Sequence, residues 1–291
     1  MSPTPLPYKA LALDLDGTLL DTEAAISPLT RRTLHELSGR GVQIILASGR
    51  MTTRILPYAA ELAIPLGIIA YNGAETLQGQ DSNWRSISNR WISPQTRDSV
   101  YVLCRDQGVF LNVYAEGKLH GYHPTGDFGP TRIYRGQTGA EYAGMHRELD
   151  TLPRENIAKL LAVETPENRD RLFLDWNPLL SKHCSLVKSN PEYLEFVAQG
   201  VSKGAALSAW LAAQGLEPST LAAFGDAEND LEMLNLAGFG IAMGNSTPGL
   251  RAAFPRVSAF SHAQDGVARE LAALFNLDSI LPQSRRPQSP G

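Results

Sequence analysis

A chain of 291 residues, 43% hydrophobic and 19% charged, has an ordinary globular composition, enough for one large domain or two modest ones. Wholesale disorder and collagen-like or low-complexity architectures are excluded. With 26 basic against 30 acidic residues, the net charge of −4 lacks the basic surplus of a protein devoted to nucleic acid.

Cys104 and Cys184 lie far apart, with no C-x-x-C pair and no flanking Cys/His cluster, so the sequence predicts two reduced, at least partly buried thiols. The N-terminal apolar stretch is cut by Asp14 and Asp16, and nowhere do 18 apolar residues run uninterrupted. A soluble, cytoplasmic chain with neither nucleic acid nor membrane as partner is expected. The oligomeric state stays open.

Tyr8 to Leu13 is a short apolar run that ends in acidic residues and Gly17, the pattern of a buried strand running into a tight loop. Ser27-Pro28 reads as an N-cap with Pro at the first helical position, and Leu29, Leu34 and Leu37 keep helical spacing until Gly39 and Gly41. A second strand over Val42 to Ala47, a helix over Thr52 to Leu62 and a third strand over Leu66 to Ala70 follow. Apolar strands alternating with helices predict an α/β fold, a doubly wound parallel sheet covered on both faces.

The rhythm changes after Gln80. A helical stretch follows Trp91, and alternation on either side of Glu116-Gly117-Lys118 predicts an antiparallel hairpin. Ile157 to Thr165, a helix near Asn168 to Trp176, and Ser185 to Val197 continue this α+β character. The first pattern returns with a helix over Lys203 to Gln214, a strand over Thr220 to Phe224, a helix to Leu236 and a strand over Phe239 to Met243. The predicted organisation is a core in two segments, 1–82 and 189–281, around an inserted α+β cap at 83–188, with a disordered polar tail at 282–291. The three main segments, the last taken to the chain end, carry −2, −4 and +2 for first core, second core and cap. Such a split suits core carboxylates that hold a cation beneath a cap that meets an anion, and equally suits scattered surface charge.

Asp14-Leu15-Asp16-Gly17-Thr18 carries the most chemical information. Residues i and i+2 at an extended strand end project to one side, so two carboxyl groups share a small site. Their repulsion requires a cation or donor, an arrangement suited to a nucleophile beside a general acid, to a metal site, or to both. A pair of solvated turn aspartates is the bland alternative.

Four motifs in order narrow these options. DLDGTLLDT at Asp14 to Thr22, ASGR at Ala47 to Arg50, VSKG at Val201 to Gly204 and GDAEND at Gly225 to Asp230 resemble the motifs of the haloacid dehalogenase-like hydrolases. The inserted block between the second and third motifs resembles the Cof-like phosphatase branch, and so do the strings Tyr71 to Ala74, Ala242 to Asn245 and Asp265 to Ala268. The resemblance covers both core segments, and the cap only by position and α+β character.

The resemblance implies a Rossmann-like core and a phosphatase using Mg²⁺. Asp14 would be the nucleophile that forms an aspartyl phosphate, and Asp16 the acid and base. The metal ligands would be Asp14, Asp16 through its backbone carbonyl, Asp226, and Asp230 either directly or as an outer acceptor. Ser48 and the Gly49 N–H would hold phosphoryl oxygens, with Lys203 and Asn229 adding positive charge and a donor. Arg50 reads equally as a substrate contact or a surface residue, and Thr18 as a support for Asp16 or as a turn cap. Asn72 is placed near the site, and His120, Tyr122, His123 and Arg132 are cap candidates for the substrate pocket.

The expected substrate is a small phosphorylated metabolite, most plausibly a sugar phosphate. A phosphomannomutase-like or phosphotransferase enzyme shares the first chemical step. A non-catalytic sensor of phosphometabolites is the reading from another class, and the intact motifs weigh against it.

Overall fold

The computed structural model describes residues 6–277. The first three strands, β1 (Ala10–Leu13), β2 (Gln43–Ala47) and β3 (Leu66–Ala70), are apolar on both faces and lie side by side in one parallel sheet. Between them run helices α1 (Pro28–Gly39) and α2 (Thr52–Leu62). The Ser27 hydroxyl caps α1 by accepting from the Thr30 N–H at 3.1 Å, as the Ser-Pro signal predicts.

Two antiparallel strands, β4 (Glu75–Gln80) and β5 (Asn83–Asn89), extend this sheet beyond β3. The chain then enters the cap. Helix α3 (Pro94–Gln107) precedes the hairpin of β6 (Leu111–Ala115) and β7 (Lys118–Tyr122), which turns at Glu116-Gly117 as the alternation predicts. Helix α4 (Pro130–Thr138), strands β8 (Gly144–His146) and β9 (Ile157–Val163), helix α5 (Pro166–Leu180) and the hairpin of β10 (Cys184–Asn190) and β11 (Tyr193–Ala198) complete it. The cap sheet has the order β10-β11-β9-β6-β7-β8, antiparallel except for β7 with β8.

The core resumes with α6 (Lys203–Ala213), β12 (Leu221–Gly225), α7 (Leu231–Leu236), β13 (Phe239–Ala242), α8 (Pro248–Ala253) and α9 (Gly266–Phe275). Its seven strands take the order β13-β12-β1-β2-β3-β4-β5. Alternate residues of β1 serve opposite faces. Leu11 and Leu13 pack with Leu34 of α1, Ile55 of α2 and Leu271 of α9, whereas Ala10 and Ala12 join Leu207 and Trp210 of α6, Leu234 of α7 and Leu250 of α8. The doubly wound architecture follows, because each strand face is apolar and needs its own helical layer.

The observed partition differs from the predicted boundaries at both ends of the insertion. Residues 83–89 pair with β4 and belong to the core sheet, and residues 193–198 pair with β9 and belong to the cap sheet. Each strand joins its neighbour through a two-residue turn, so pairing partner rather than composition decides its membership. The predicted tail at 282–291 lies outside the described residues. Both cysteines are buried and free, and burial pushes the Cys184 thiol up to about 11. Among the described residues no helix is long and apolar enough to cross a membrane.

Trp210 anchors the second face. It is fully buried, its indole N–H donates to Gln78 Oε1 at 2.9 Å, and a Cβ at Gly67 would come within 3.0 Å of its Nε1. Trp210→Ala is expected to cost about 3–5 kcal/mol, read from urea unfolding monitored by far-UV circular dichroism.

Candidate active site

The functional side chains gather where the parallel strands end. At the carboxyl end of β1 the chain makes one wide turn, Leu15–Leu19, closed by the Leu19 and Leu20 N–H groups on the Asp14 and Leu15 carbonyls. Gly17 has φ +74° within it, and a Cβ there would collide with the Asp226 carboxylate. This close approach brings Asp226, at the end of β12, against the Asp14 loop.

Asp14, Asp226 and Asp230 each present a carboxylate oxygen, all within 4.8 Å of one another. Lys203, at the first turn of α6, enters from the second core segment. Its side chain is 1% exposed, and its ammonium donates to Asp14 Oδ1 at 2.6 Å and to Asp230 Oδ1 at 2.7 Å. Burial alone would lower the Lys203 pKa, but the two carboxylates outweigh it and hold the ammonium charged. Burial pushes the Asp14 carboxyl well above its ordinary range although Lys203 opposes the change. Burial, then the neighbouring Asp230, pushes Asp226 up to about 6. One lysine among three clustered carboxylates leaves a negative surplus, and an all-oxygen donor set of this kind fits a hard divalent cation.

Asp230 stands apart from the other two. It is fully buried, Lys203 takes Oδ1, and the Asp226 and Ala227 N–H groups donate to Oδ2 at 2.9 and 3.1 Å. With both oxygens occupied, it fixes Lys203 and the turn that presents Asp226. Thr18 donates to Asp226 Oδ1 at 3.2 Å, so it supports Asp226 rather than Asp16.

Asp16 and Arg50 form an ion pair on the wall of a cavity of about 600 Å³. Arg50 Nε and Nη2 donate to the two Asp16 oxygens at 2.8 and 2.5 Å, and Nη1 donates to the Tyr58 hydroxyl at 3.1 Å. The guanidinium is thus committed to Asp16, and a surface role for Arg50 is set aside. The Asp16 side chain is 58% exposed, open to whatever enters the cavity.

Ser48 and Gly49 follow β2 beside this pair. The Ser48 hydroxyl is buried and accepts from the Arg50 N–H at 3.1 Å, whereas the Gly49 N–H has no acceptor among the described residues. Asn229 donates to Asn72 Oδ1 at 3.0 Å, and that amide lies against Gly49, where a Cβ would meet it at 3.1 Å. Asp14, Asp16, Ser48, Gly49, Arg50, Asp226 and Asn229 all line the one cavity, and Lys203 lies beneath it, in contact with Asp14.

Two groups of residues escaped the sequence reading. Asn245 donates to the Gly17 carbonyl at 2.8 Å and accepts from the His262 N–H at 2.9 Å, bracing the Asp14 loop. Its position just after β13, at a strand carboxyl end, was the available signal. The cap contributes Tyr114, Tyr134, Gln137, Thr138, Ala140 and Lys159 to the cavity wall. None of His120, Tyr122, His123 or Arg132 is among them. His120 instead meets His146 at 3.1 Å, and His123 bonds the Gly108 carbonyl at 2.9 Å.

An acidic cluster at strand carboxyl ends, a buried lysine and a capped cavity define a hydrolase site of the α/β type. A family profile described as haloacid dehalogenase-like hydrolase matches residues 11–271, and the chain belongs to that family. It is 30% identical over 246 residues to a protein of Bacillus subtilis (strain 168) described as a phosphatase, YxeH, covering 83% of this chain and 89% of the relative. It is 29% identical over 258 residues to the HMP-PP phosphatase of Cronobacter sakazakii, covering 86% and 89%. The solved structure of TM0651 from Thermotoga maritima superposes with a TM-score of 0.80 at 29% identity, over 91% of this chain and 97% of that one. The chain is a phosphatase, a phosphoric monoester hydrolase of a family whose members generally use a metal ion.

Two outcomes follow from this geometry. Gly17→Ala, which strains the turn and displaces Asp226, should cost about 1–3 kcal/mol in urea unfolding and depress aryl phosphate turnover more than any folding loss explains. Thr18→Val should weaken activation by divalent cation about 10–100-fold in a metal titration of turnover, with the unfolding midpoint little changed.

Proposed function

We propose that the protein is a Mg²⁺-dependent, cytoplasmic phosphatase of small phosphorylated metabolites, sugar phosphates foremost, acting through an aspartyl phosphate on Asp14. The observation that carries this reading is Asp14 itself. It is 5% exposed, with one oxygen held by Lys203, in a cavity shared with Asp16, Ser48, Gly49 and Asn229. Asp14, the Asp16 backbone carbonyl and Asp226 would hold the cation, with Asp230 as the outer acceptor that positions Lys203. When bound, the cation supplies positive charge that lets a dianionic ester approach a carboxylate.

In the first step an Asp14 oxygen attacks phosphorus and the bond to the leaving oxygen breaks. The Asp16 carboxyl proton passes to that oxygen as it departs. In the second step water attacks the phosphoryl group and gives a proton to the Asp16 carboxylate, and the bond to Asp14 breaks to release inorganic phosphate. Lys203 keeps Asp14 oriented throughout, and the Ser48 hydroxyl, the Gly49 N–H and the Asn229 amide receive the phosphoryl oxygens. The two-point grip of Arg50 engages both Asp16 oxygens as acceptors, so Asp16 has to leave it before it can carry a proton to the leaving oxygen. A cavity of about 600 Å³ suits a small metabolite, for which such sites range over roughly 300–1,000 Å³.

The purified protein is expected to hydrolyse p-nitrophenyl phosphate with Mg²⁺ and to lose that activity in chelator. In Asp14→Asn it should lose on the order of 10³-fold or more. Full activity in that variant would overturn the covalent mechanism. With a sugar phosphate and a second sugar present, inorganic phosphate is the expected product, and accumulation of a new phospho-sugar would instead establish a phosphotransferase or mutase.

A further inference from the structure

The chain reverses from β3 to β4 through Tyr71-Asn72-Gly73, three successive residues with φ of +50°, +57° and +112°. A Cβ at Gly73 would strike the Ser202 carbonyl, so that position takes glycine alone. Asparagine tolerates the left-handed region, whereas a bulky tyrosine is strained there. A tight reversal by itself would be served by Asn and Gly at less cost. What offsets the tyrosine is its burial: Tyr71 is 2% exposed, and its ring stands edge-on to Tyr114 of the cap at 6.2 Å.

The strained turn has a use where its N–H groups point. The Tyr71 N–H donates to the Arg50 carbonyl at 2.9 Å and the Asn72 N–H to the Ser48 carbonyl at 3.0 Å. Both acceptors belong to the loop that follows β2. In a planar trans peptide the carbonyl and the next N–H point in opposite directions. With the Ser48 carbonyl held by Asn72, the Gly49 N–H is aimed away from the Asn72 backbone, on a residue that lines the cavity.

The Asn72 side chain repeats the arrangement. Its Oδ1 accepts from Asn229 Nδ2 at 3.0 Å. A carbonyl oxygen can only accept, so this contact turns the Asn229 amino group toward Asn72, and the second N–H of that group has no acceptor among the described residues. Asn229 also lines the cavity. The Asn72 amide packs on Gly49, where a Cβ would lie 3.1 Å from its Oδ1. One residue thus fixes two donors that come from the two separate core segments.

We infer that Asn72 is a positioning residue of the phosphatase reaction, its backbone orienting the Gly49 N–H and its side chain orienting the Asn229 amide toward the phosphoryl oxygens, and that the left-handed turn is kept for this purpose. The inference rests on the reading of Gly49 and Asn229 as phosphoryl donors given above. Donors fixed beforehand count most as charge develops on those oxygens, so their loss falls on kcat more than on KM.

The test measures kcat and KM for p-nitrophenyl phosphate with Mg²⁺ in single and double variants, each checked for folding by urea unfolding. Asn229→Ala should lower kcat about 100-fold. Asn72→Gly keeps the left-handed backbone and its N–H but deletes the side chain, and should lower kcat about tenfold with KM within about twofold. Combined with Asn229→Ala it should add no further loss, because the side chain acts through Asn229 alone. Asn72→Val removes the same amide and also disfavours the left-handed conformation, so kcat should fall about tenfold below that of Asn72→Gly, and this extra loss should persist beside Asn229→Ala. Full kcat in Asn72→Gly, losses that multiply in its double variant, or Asn72→Val equal to Asn72→Gly would overturn the inference. Where Asn72→Val does not fold, the glycine series decides alone. Full kcat in Asn229→Ala would instead overturn the reading of the site beneath it.

Discussion

The ammonium of Lys203, sealed between Asp14 and Asp230, is the interaction on which the site depends. It joins the two core segments across 189 positions of chain, with the entire cap between them. Each of its partners is itself tied into a turn: Asp14 opens the loop closed by Gly17, and Asp230 gathers the N–H groups of Asp226 and Ala227. Removing the ammonium would leave carboxylates buried without their counter-charge, a change that costs about 3–5 kcal/mol in comparable buried pairs. The same charge that holds the fold together at this point also orients the carboxylate assigned as nucleophile.

Around that centre the protein repeats one device, a charge fixed by a partner so that it faces the cavity in one orientation. Arg50 grips Asp16 with two parallel bonds and is itself held by Tyr58. Thr18 and Gly17 set Asp226 by a hydrogen bond and by the absence of a side chain, and Asn245 braces the loop from the far side. Such preorganisation matters because dipoles and charges already in place need not reorganise as charge develops during reaction. The cap extends the device with Lys159, which lines the cavity and donates to Glu195.

Much of the core was legible from residue patterns. Apolar runs such as Val42 to Ala47 announce strands buried on both faces, and Ser27-Pro28 announces a helix start, because these signals act over a few residues. The motif residues were legible for the same reason: Asp14, Ser48 and Asp226 each follow a recognisable strand, and strand carboxyl ends converge in a parallel sheet. Boundaries were not. By pattern, residues 83–89 are assigned to the cap and 193–198 to the core, yet the first pair with the core sheet and the second with the cap sheet, since a hydrogen-bond partner is not written in a strand's own composition.

The identity of the cap's contacts was the least legible feature. His120, His123 and Arg132 are reactive by type, but strand alternation and the packing of α4 turn the cavity wall over to Tyr114, Tyr134, Gln137 and Lys159. Local pattern thus suffices for the elements, the order of the motifs and the acidic chemistry of the loop at Asp14, all of which depend on neighbours close in sequence. The pairing of Lys203 with two aspartates, the commitment of Arg50 to Asp16, and the Lys159–Glu195 ion pair all join distant positions. They arise only when sheet register and the docking of cap on core bring those side chains within bonding distance.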